Sequence, residues 1–319
     1  MSNNKERYRI LCDNHPEIPL FAQYWWMDAI CVGKEWDVLL VEEGDAVVGA
    51  MPYLMVRKFF FKLILQPIFS QNNGVHFIYP KGLAQSEKES VERSVCQRVL
   101  AQLRAMRLDW YFQYFDPSFR HASLWEEAGY TVSERVTYVI PSIVDLEAVF
   151  RHFSSSKQRH IRKAERAGLT ERWDMDPAEF YDFHSETLRL RGRNNINSRQ
   201  VEENLIRQAI ARGQGKILSV YDPVGNLHCA LFFVWNGQYG YYLIPAIHPD
   251  YKASGASTLM VWRTLQFLQD KTQSFDFEGS MDPQIAHSYK QFATERVVYP
   301  KVERVNSFLL RCYLRCRGK

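Results

Sequence analysis

Two stretches of the chain carry the same order of sequence patterns, and this weak repeat constrains the fold more than any other feature. Each half has a helical stretch followed by a hairpin pattern, WDVLLVEEGDAVVGAMPYLMV in the first and GKILSVYDPVGNLHCALFFVW in the second. Further strand-like residues, a helix, a strand, another helix and a return strand follow in both halves. An Asp-Pro pair marks equivalent points, at Asp116 and Asp282. The order predicts two tandem mixed α/β domains, at residues 1–143 and 144–319.

The composition fits a folded, two-domain protein of the cytoplasm. With 319 residues, of which 46% are hydrophobic, the chain can bury a large core. No apolar run approaches the roughly 20 residues that span a bilayer, and the start MSNNKERYRIL lacks the apolar segment of a signal peptide. The 6 cysteines are scattered, without a Cys-X-X-Cys pair or a His/Cys cluster. We therefore predict a cytoplasmic protein with reduced cysteines and no metal cofactor.

Charge is distributed unevenly along the chain. Residues 1–150 carry a net charge of −4 and residues 151–319 a net charge of +8. The excess in the second half favours an anionic ligand there, although a solvated charged surface explains it equally well. The tail SFLLRCYLRCRGK is apolar and basic, so it either docks on the protein or lies on an anionic membrane surface. A peripheral position at the inner membrane face therefore stays open.

A segment of small residues, YKASGASTLM, lies between the strand pattern QYGYYLIPAIHPD and a helical pattern that begins with TLMVWRT. Helix N-termini expose unpaired N–H groups and the positive end of the helix dipole, and small residues let a phosphate approach that backbone. Serine, threonine and glycine also cap helices without any ligand. The candidate phosphate-binding residues are Ser254, Gly255, Ala256, Ser257 and Thr258.

The stretch SSSKQRHIRKAERAGL predicts a basic helix that begins after its serines and ends at Gly168. Arg159, Arg162 and Lys163 recur on one face, which favours either an anionic substrate or a solvated surface. No motif of a sequence-specific DNA reader accompanies the helix, so we expect no DNA partner. The loop LRLRGRNNINS adds Arg191 as a candidate for lining a substrate channel.

Two short motifs near the end of the second half carry groups suited to acid–base chemistry. In FDFEGSMDP a continuous strand would place Asp276 and Glu278 on one face, where a carboxylate can take a proton from an attacking amine. Acidic residues at strand ends also cap turns. In HSYKQFA, Tyr289 and Lys290 offer a hydroxyl and a cation to a reacting group, or form an ordinary surface pair.

Taken together, these motifs resemble the GNAT N-acyltransferase superfamily, and within it the tandem-domain Fem-like branch and acetyltransferases of the cellulose-biosynthesis type. The resemblance rests on RHIRKAERAG, FDFEG and YKQF in the second half, and on the order of elements. It implies an α/β (mixed α+β) fold of two GNAT-like domains, each with a mixed, mostly antiparallel sheet flanked by helices. It also implies a donor site in residues 144–319 and none in residues 1–143.

The resemblance further implies an acyl transferase with acyl-CoA as co-substrate and a small-molecule amine as acceptor. By position, the segment from Ser254 to Thr258 would hold the pyrophosphate of the donor. Glu278 would be the base, Asp276 its orienting neighbour, Tyr289 the proton donor to the leaving group, and Lys290 part of the same helix motif. The other predicted substrate-binding residues are Arg159, Arg162, Lys163, Arg191, Tyr241 and Tyr242.

Two alternatives stay open beside the acyl-CoA-dependent enzyme. The segment keeps one glycine where the GNAT donor signature has more, so the donor is either acyl-CoA or, as in Fem-like members, aminoacyl-tRNA. In the second case the acceptor would be a peptidoglycan or other cell-envelope precursor bound at the membrane. The remaining alternative is a GNAT-like protein that binds an anion or a partner without catalysis.

Overall fold

The computed structural model describes residues 3–79 and 82–316, which form two compact units. One unit comprises Met1–Arg135 and Val298–Lys319, and the other comprises Val136–Val297. The observed division differs from the predicted single boundary after residue 143. The final segment returns to the first unit because residues 301–305 hydrogen-bond with residues 110–114 of that unit as an antiparallel strand pair.

Eleven helices occur in the part of the chain that the structure describes. In chain order they are α1 Asn3–Asn14, α2 Tyr24–Ile30, α3 Gln85–Ala105, α4 Ala122–Glu127, α5 Leu146–His152, α6 Ser155–Arg166, α7 Pro177–Arg189, α8 Arg199–Ala211, α9 Ala256–Leu268, α10 Pro283–Lys290 and α11 Phe308–Cys316. Short 3₁₀ turns precede α2 and α9.

Twelve strands occur within the same described residues. They are β1 Glu35–Glu43, β2 Ala46–Lys58, β3 Phe61–Leu65, β4 His76–Phe77, β5 Trp110–Tyr114, β6 Thr131–Ile140, β7 Thr170–Arg172, β8 Gly215–Tyr221, β9 Leu227–Trp235, β10 Tyr239–Ile247, β11 Ser274–Asp276 and β12 Glu295–Val305. The division into units falls inside β6 and inside β12. Both predicted hairpins are confirmed as antiparallel pairs, β1 with β2 and β8 with β9.

The sheet of the first unit runs in the order β1-β2-β3-β5-β12, with β4 beside β2. All of its pairs are antiparallel except β3 with β5. One face packs on a core that includes the fully buried rings of Tyr111, Phe115 and Trp125. Helix α3 contributes Val95 and Val99 to this core, four residues apart on one helical face.

The sheet of the second unit runs in the order β6-β11-β10-β9-β8-β7, and only β10 with β11 is parallel. The predicted class, a mixed and mostly antiparallel sheet with flanking helices, is therefore confirmed. Helix α9 connects the two parallel strands and packs on β8 and β9 through a face that includes Leu259, Leu265 and Leu268. The elements follow one another as in the first unit, so the repeat in the sequence corresponds to a repeat in structure.

The basic helix α6 begins and ends as predicted. The Ser154 side chain caps its N-terminus by accepting a hydrogen bond from the Lys157 backbone N–H, and Gly168 after its end has a φ of 72°. Ile161 and Ala164 are buried against the core, whereas Arg159, Arg162, Lys163 and Arg166 are exposed.

Gly255 begins α9 in a conformation that only glycine adopts without strain. Its φ is 88°, and a Cβ atom there would lie 2.4 Å from the backbone oxygen of His160 on α6. The two helices therefore approach each other through the backbone at this point. The small size of Gly255 is explained by helix packing, whatever the neighbouring residues bind.

No helix among the described residues is both long and apolar enough to cross a membrane.

We expect Gly255→Ala to lower the free energy of unfolding by about 2 kcal/mol or more, because it adds both backbone strain and a clash with α6. Gly225→Ala is the matched control, since Gly225 has a φ of 93° but no heavy atom within 4 Å of its would-be Cβ. Denaturant unfolding of both variants separates the two costs. If both variants lose the same free energy of unfolding, the clash with the His160 backbone adds nothing to the cost of a Cβ atom at position 255.

Candidate functional site

A cavity of about 320 Å³ lies in the second unit where the parallel strands β10 and β11 part. The two strands pair from Tyr239 with Ser274 to Tyr241 with Asp276, where β11 ends while β10 continues to Ile247. A β-bulge interrupts the pairing of β10 with β9 between Tyr241 and Ile244 and bends β10 at this point. The carboxyl ends of parallel strands commonly form ligand sites in α/β proteins.

The cavity wall combines aromatic rings with a few polar groups. Its lining residues are Lys157, Arg191, Tyr242, Pro245, Ile247, Ser257, Thr258, Val261, Phe277, Gln284, Ile285, Ser288, Tyr289 and Phe292. Small-molecule sites have this composition, and their volumes begin at about 300 Å³. Of the predicted site residues, the structure brings together Arg191, Tyr242, Ser257, Thr258 and Tyr289.

Lys157 is the charged residue of this wall that the sequence analysis did not predict. Its side chain is buried, its Nζ donates a hydrogen bond of 2.9 Å to the Ser288 Oγ, and it lies 4.2 Å from the centre of the Phe292 ring. Burial lowers the pKa of Lys157 to about 8. The signal in the sequence was its position four residues before Ile161, on the apolar face of a helix whose other cations face solvent.

The first turn of α9 reaches the cavity through Ser257 and Thr258, while the preceding residues have structural roles. Ser254 ends the 3₁₀ turn, and its Oγ donates to the Tyr251 carbonyl. Ala256 is buried. Because the positive end of the helix dipole lies at the first turn, an anion is favoured beside Ser257 and Thr258, although the Thr258 N–H already donates to the Gly255 carbonyl at 3.1 Å.

Cations of α6 lie beside this helix start. Lys163 Nζ donates a hydrogen bond of 2.6 Å to the carbonyl of Ala253, just before α9. Partial burial and the positive charges of Lys157, Lys163 and Arg159 lower the pKa of His160, one turn along α6. The electrostatic environment at the start of α9 is thus positive, as an anionic ligand requires.

The prediction that Asp276 and Glu278 project from one continuous strand face is wrong. Strand β11 ends at Asp276, and Glu278 has a φ of 61°. The cause is local, because the Glu278 backbone N–H donates a hydrogen bond of 2.7 Å to the Oδ1 of Asp276, which turns the chain. The same Oδ1 accepts a hydrogen bond from the buried hydroxyl of Thr137.

Glu278 nevertheless stays close to Asp276, and its side chain is half-buried. Its Oε1 is buried and lacks a hydrogen-bond partner among the described residues. Burial, and secondarily the charge of Asp276, raise the pKa of Glu278 well above its usual value. Gly279 follows with a φ of 72°, and a Cβ there would lie 2.2 Å from the Val136 oxygen. A strained turn of this kind often marks a functional site.

Tyr289 connects these carboxyl groups with the cavity. Its ring stacks on Phe277 with 4.6 Å between centroids and lies 6.2 Å from the ring of Tyr242. Burial raises the pKa of Tyr289, and the charges of Glu278 and Asp276 add to the effect. Burial also raises the pKa of Tyr242 well above its usual value. Both phenols therefore keep their protons at neutral pH.

The other predicted site residues lie away from the cavity wall. Lys290 is exposed and lines a separate depression with Tyr138 and His287, because consecutive residues of α10 point in different directions. Arg159 and Arg162 face solvent on α6. Tyr241 is buried in β10, and neither Asp276 nor Glu278 lines the cavity.

The described residues contain no group of three or more His, Cys, Asp or Glu side chains that could hold a metal ion. A larger concavity of about 900 Å³ lies in the first unit between β5, β12 and α11. Its lining includes the ion pair of Lys301 with Glu303. The second-unit cavity is the better candidate because shifted pKa values and a helix start meet there.

Comparison with known proteins agrees with this architecture. Residues 151–291 match the family model described as an acetyltransferase (GNAT) domain. Among curated proteins, no significant sequence relative was found. Three solved structures share the fold at low sequence identity.

The crystal structure of FemX has a TM-score of 0.69 at 11% identity, covering 94% of this chain and 96% of that one. The C-terminal domain (DUF2156) of a putative lysylphosphatidylglycerol synthetase from Agrobacterium fabrum has a TM-score of 0.60 at 9% identity, covering 94% and 92%. A tandem GNAT protein from the clavulanic acid biosynthesis pathway has a TM-score of 0.50 at 14% identity, covering 91% and 95%. Residues 151–291 thus match an acetyltransferase (GNAT) domain, and the chain as a whole shares its fold with these three structures.

Proposed function

We propose that the protein is an N-acyltransferase that transfers an acyl group from acyl-CoA to an amine. The observation that carries this proposal is the cavity between the parted strands, with the first turn of α9 and the buried Lys157 in its wall. The phosphates of the donor bind at the start of α9, and the acyl carbonyl lies toward Tyr242 and Tyr289. Binding both substrates in one cavity supplies the orientation on which such a transfer depends.

The chemistry needs no covalent enzyme intermediate. The nitrogen of the amine attacks the thioester carbonyl, and the carbonyl π electrons move to its oxygen, where donors on the bulged part of β10 stabilise the charge. The intermediate collapses, the C–S bond breaks, and the thiolate takes a proton from Tyr289 or from Lys157. With a pKa of about 8, Lys157 is the stronger acid of the two.

In this proposal Glu278 accepts the proton that the amine loses. Because Glu278 lies behind the cavity wall, the proton moves through the Tyr289 hydroxyl or a water molecule. A raised pKa makes its carboxylate a stronger base than an exposed one, and Asp276 holds the turn that positions it.

A second candidate is transfer from aminoacyl-tRNA to a cell-envelope precursor. One specific observation favours it, namely the exposed basic face of α6 beside the start of α9. In this alternative the exposed cations of α6 contact phosphates of the tRNA backbone.

Acetyl-CoA or a longer acyl-CoA is expected to raise the melting temperature of the protein, because a ligand of the native state stabilises it. Ser257→Asp should weaken this effect, with about ten-fold lower affinity, since a carboxylate beside the phosphates repels them. Aspartate is favoured in the first turn of a helix, so the variant should fold normally.

Ser257→Ala, which removes the hydroxyl without adding charge, is the matched control and should retain most of the affinity. If no CoA species shifts the melting temperature of the wild type, acyl-CoA is not the donor. If acyl-CoA shifts the melting temperatures of Ser257→Asp and Ser257→Ala equally, the donor phosphates do not bind at the start of α9.

Glu278→Gln provides a test of the buried carboxyl group that requires no known substrate. A native pKa raised above the unfolded value means that the folded protein binds the proton more tightly, so stability falls as pH rises above about 4.5. The wild type should lose stability relative to Glu278→Gln by up to about 1.4 kcal/mol per pH unit until the native group ionises.

Urea unfolding of both proteins between pH 4 and pH 8 measures this difference. Exposed Glu295 offers the control, and Glu295→Gln should show no such trend. Parallel curves for wild type and Glu278→Gln would mean that Glu278 ionises normally and is a poor candidate for the base.

For the second candidate, Arg159→Gln with Arg162→Gln should weaken tRNA binding and reduce the slope of log K against log salt by about 1 for each lost phosphate contact. Lys163 is left intact because it also holds the Ala253 carbonyl. Neutralising Arg207 and Arg212 near the end of α8 should change neither quantity. Salt-independent binding, or no binding of tRNA, would contradict the aminoacyl-tRNA donor.

A further inference from the structure

The turn between β2 and β3 in the first unit exposes two consecutive phenylalanines. Phe59 is 89% exposed and Phe60 is 75% exposed. Phe59 also has a φ of 56°, an unfavourable conformation for an aromatic residue. The flanking sequence RKFFFK adds three basic residues, Arg57, Lys58 and Lys62, and no acidic one. Exposed apolar patches with a polar or charged border often mark interaction sites.

Helix α11 in the same unit presents a second exposed apolar surface. Phe308 is 72% exposed and Leu309 is 60% exposed, and Cys312 and Tyr313 continue this face one turn later. Leu310 points the other way and is buried. From residue 306 to residue 319 the sequence has four basic residues and no acidic one, and exposed Arg311 borders the apolar face.

Hydrogen bonds through Asp109 hold these two surfaces at one end of the first sheet. The Lys62 backbone N–H donates to the Asp109 Oδ2 at 2.8 Å, and the Asp109 N–H donates to the Lys62 carbonyl at 2.8 Å. The Asp109 carbonyl in turn accepts from the N–H of Asn306 at 2.8 Å, two residues before α11.

The strand register agrees with this placement. Leu63 pairs with Trp110, and Trp110 pairs with Val305, so the start of β3, the start of β5 and the end of β12 are aligned. Three adjacent strands place the β2–β3 turn and the start of α11 about 10 Å apart across the sheet.

We propose that the β2–β3 turn and the exposed face of α11 form one surface that docks on an anionic lipid bilayer. The aromatic and aliphatic side chains enter the interface between headgroups and acyl chains. Arg57, Lys58 and Arg311 contact the negatively charged headgroups.

Charge complementarity favours a bilayer over a second copy of this chain. Cations predominate beside both apolar elements, with Glu35 paired to Arg57 at 3.4 Å, and a symmetric dimer through this surface would bring like charges together. One short amphipathic helix binds membranes only marginally, whereas two apolar elements together with several cations give additive binding. The surface belongs to the first unit, so it does not depend on which donor or acceptor the second-unit cavity binds.

Flotation with vesicles tests the proposal directly. The full-length protein should float with phosphatidylcholine vesicles that contain 30–50% phosphatidylglycerol, and less with pure phosphatidylcholine. Phe59→Asn with Phe60→Ser, and separately Phe308→Ser with Leu309→Ser, should each lower partitioning about ten-fold, because each pair removes two inserted side chains. Asparagine is chosen at position 59 because it tolerates a positive φ.

The matched control replaces two equally exposed apolar residues of the second unit, Ile196 (94% exposed) and Val224 (84% exposed), by serine. This control should float like the wild type, and all variants should unfold at the wild-type denaturant midpoint. The proposal is overturned if the wild type does not float or if the Phe59/Phe60 and Phe308/Leu309 variants float normally. It is also overturned if sedimentation shows a dimer that these substitutions dissociate while vesicle binding is unchanged.

Discussion

The second unit depends on the point at which its one parallel strand pair separates. Up to Tyr241 and Asp276 the strands β10 and β11 share backbone hydrogen bonds, and beyond them each strand follows a different constraint. The bulge bends β10, while the Asp276 carboxylate ends β11 by accepting the Glu278 N–H. Backbone groups that no longer pair across the gap must bond elsewhere or face solvent, so a separated pair is a natural position for a ligand.

The equivalent position of the first unit is filled by the chain itself. Its parallel pair, β3 with β5, also parts after a few residues, but residues 66–74 enter the gap. The Asn73 N–H donates to the Tyr114 carbonyl at 2.8 Å, and the buried Gln113 donates to the Asn73 carbonyl at 2.8 Å. Gly74 lies so close to Phe115 that a Cβ atom would reach 2.5 Å from its ring. The longer, bulkier segment of the first half thus fills the gap beside its parallel pair, whereas a cavity lies at the corresponding position in the second unit.

Sequence periodicity was sufficient to predict the hairpins, the basic helix and the repeated order of elements, because each depends on contacts between residues near in sequence. It failed where a side chain competes with the backbone. Nothing in FDFEG separates a strand that continues from one that a carboxylate terminates, so Glu278 was assigned the wrong geometry. Lys157 was missed because its burial depends on Ser288 and Phe292, more than a hundred residues away. The return of β12 to the first unit is a long-range pairing of the same kind.

The packing of α6 on α9 brings together the basic helix and the small-residue segment that the sequence analysis singled out. Gly255 allows the α9 backbone to reach the His160 carbonyl, and this approach carries Lys157 into the cavity and Lys163 to the carbonyl before α9. A larger residue at position 255 would separate the helices and move both cations away from the helix start. Because the same contact sets helix packing and the charge at the start of α9, selection for an anion site and selection for stability would both retain glycine here.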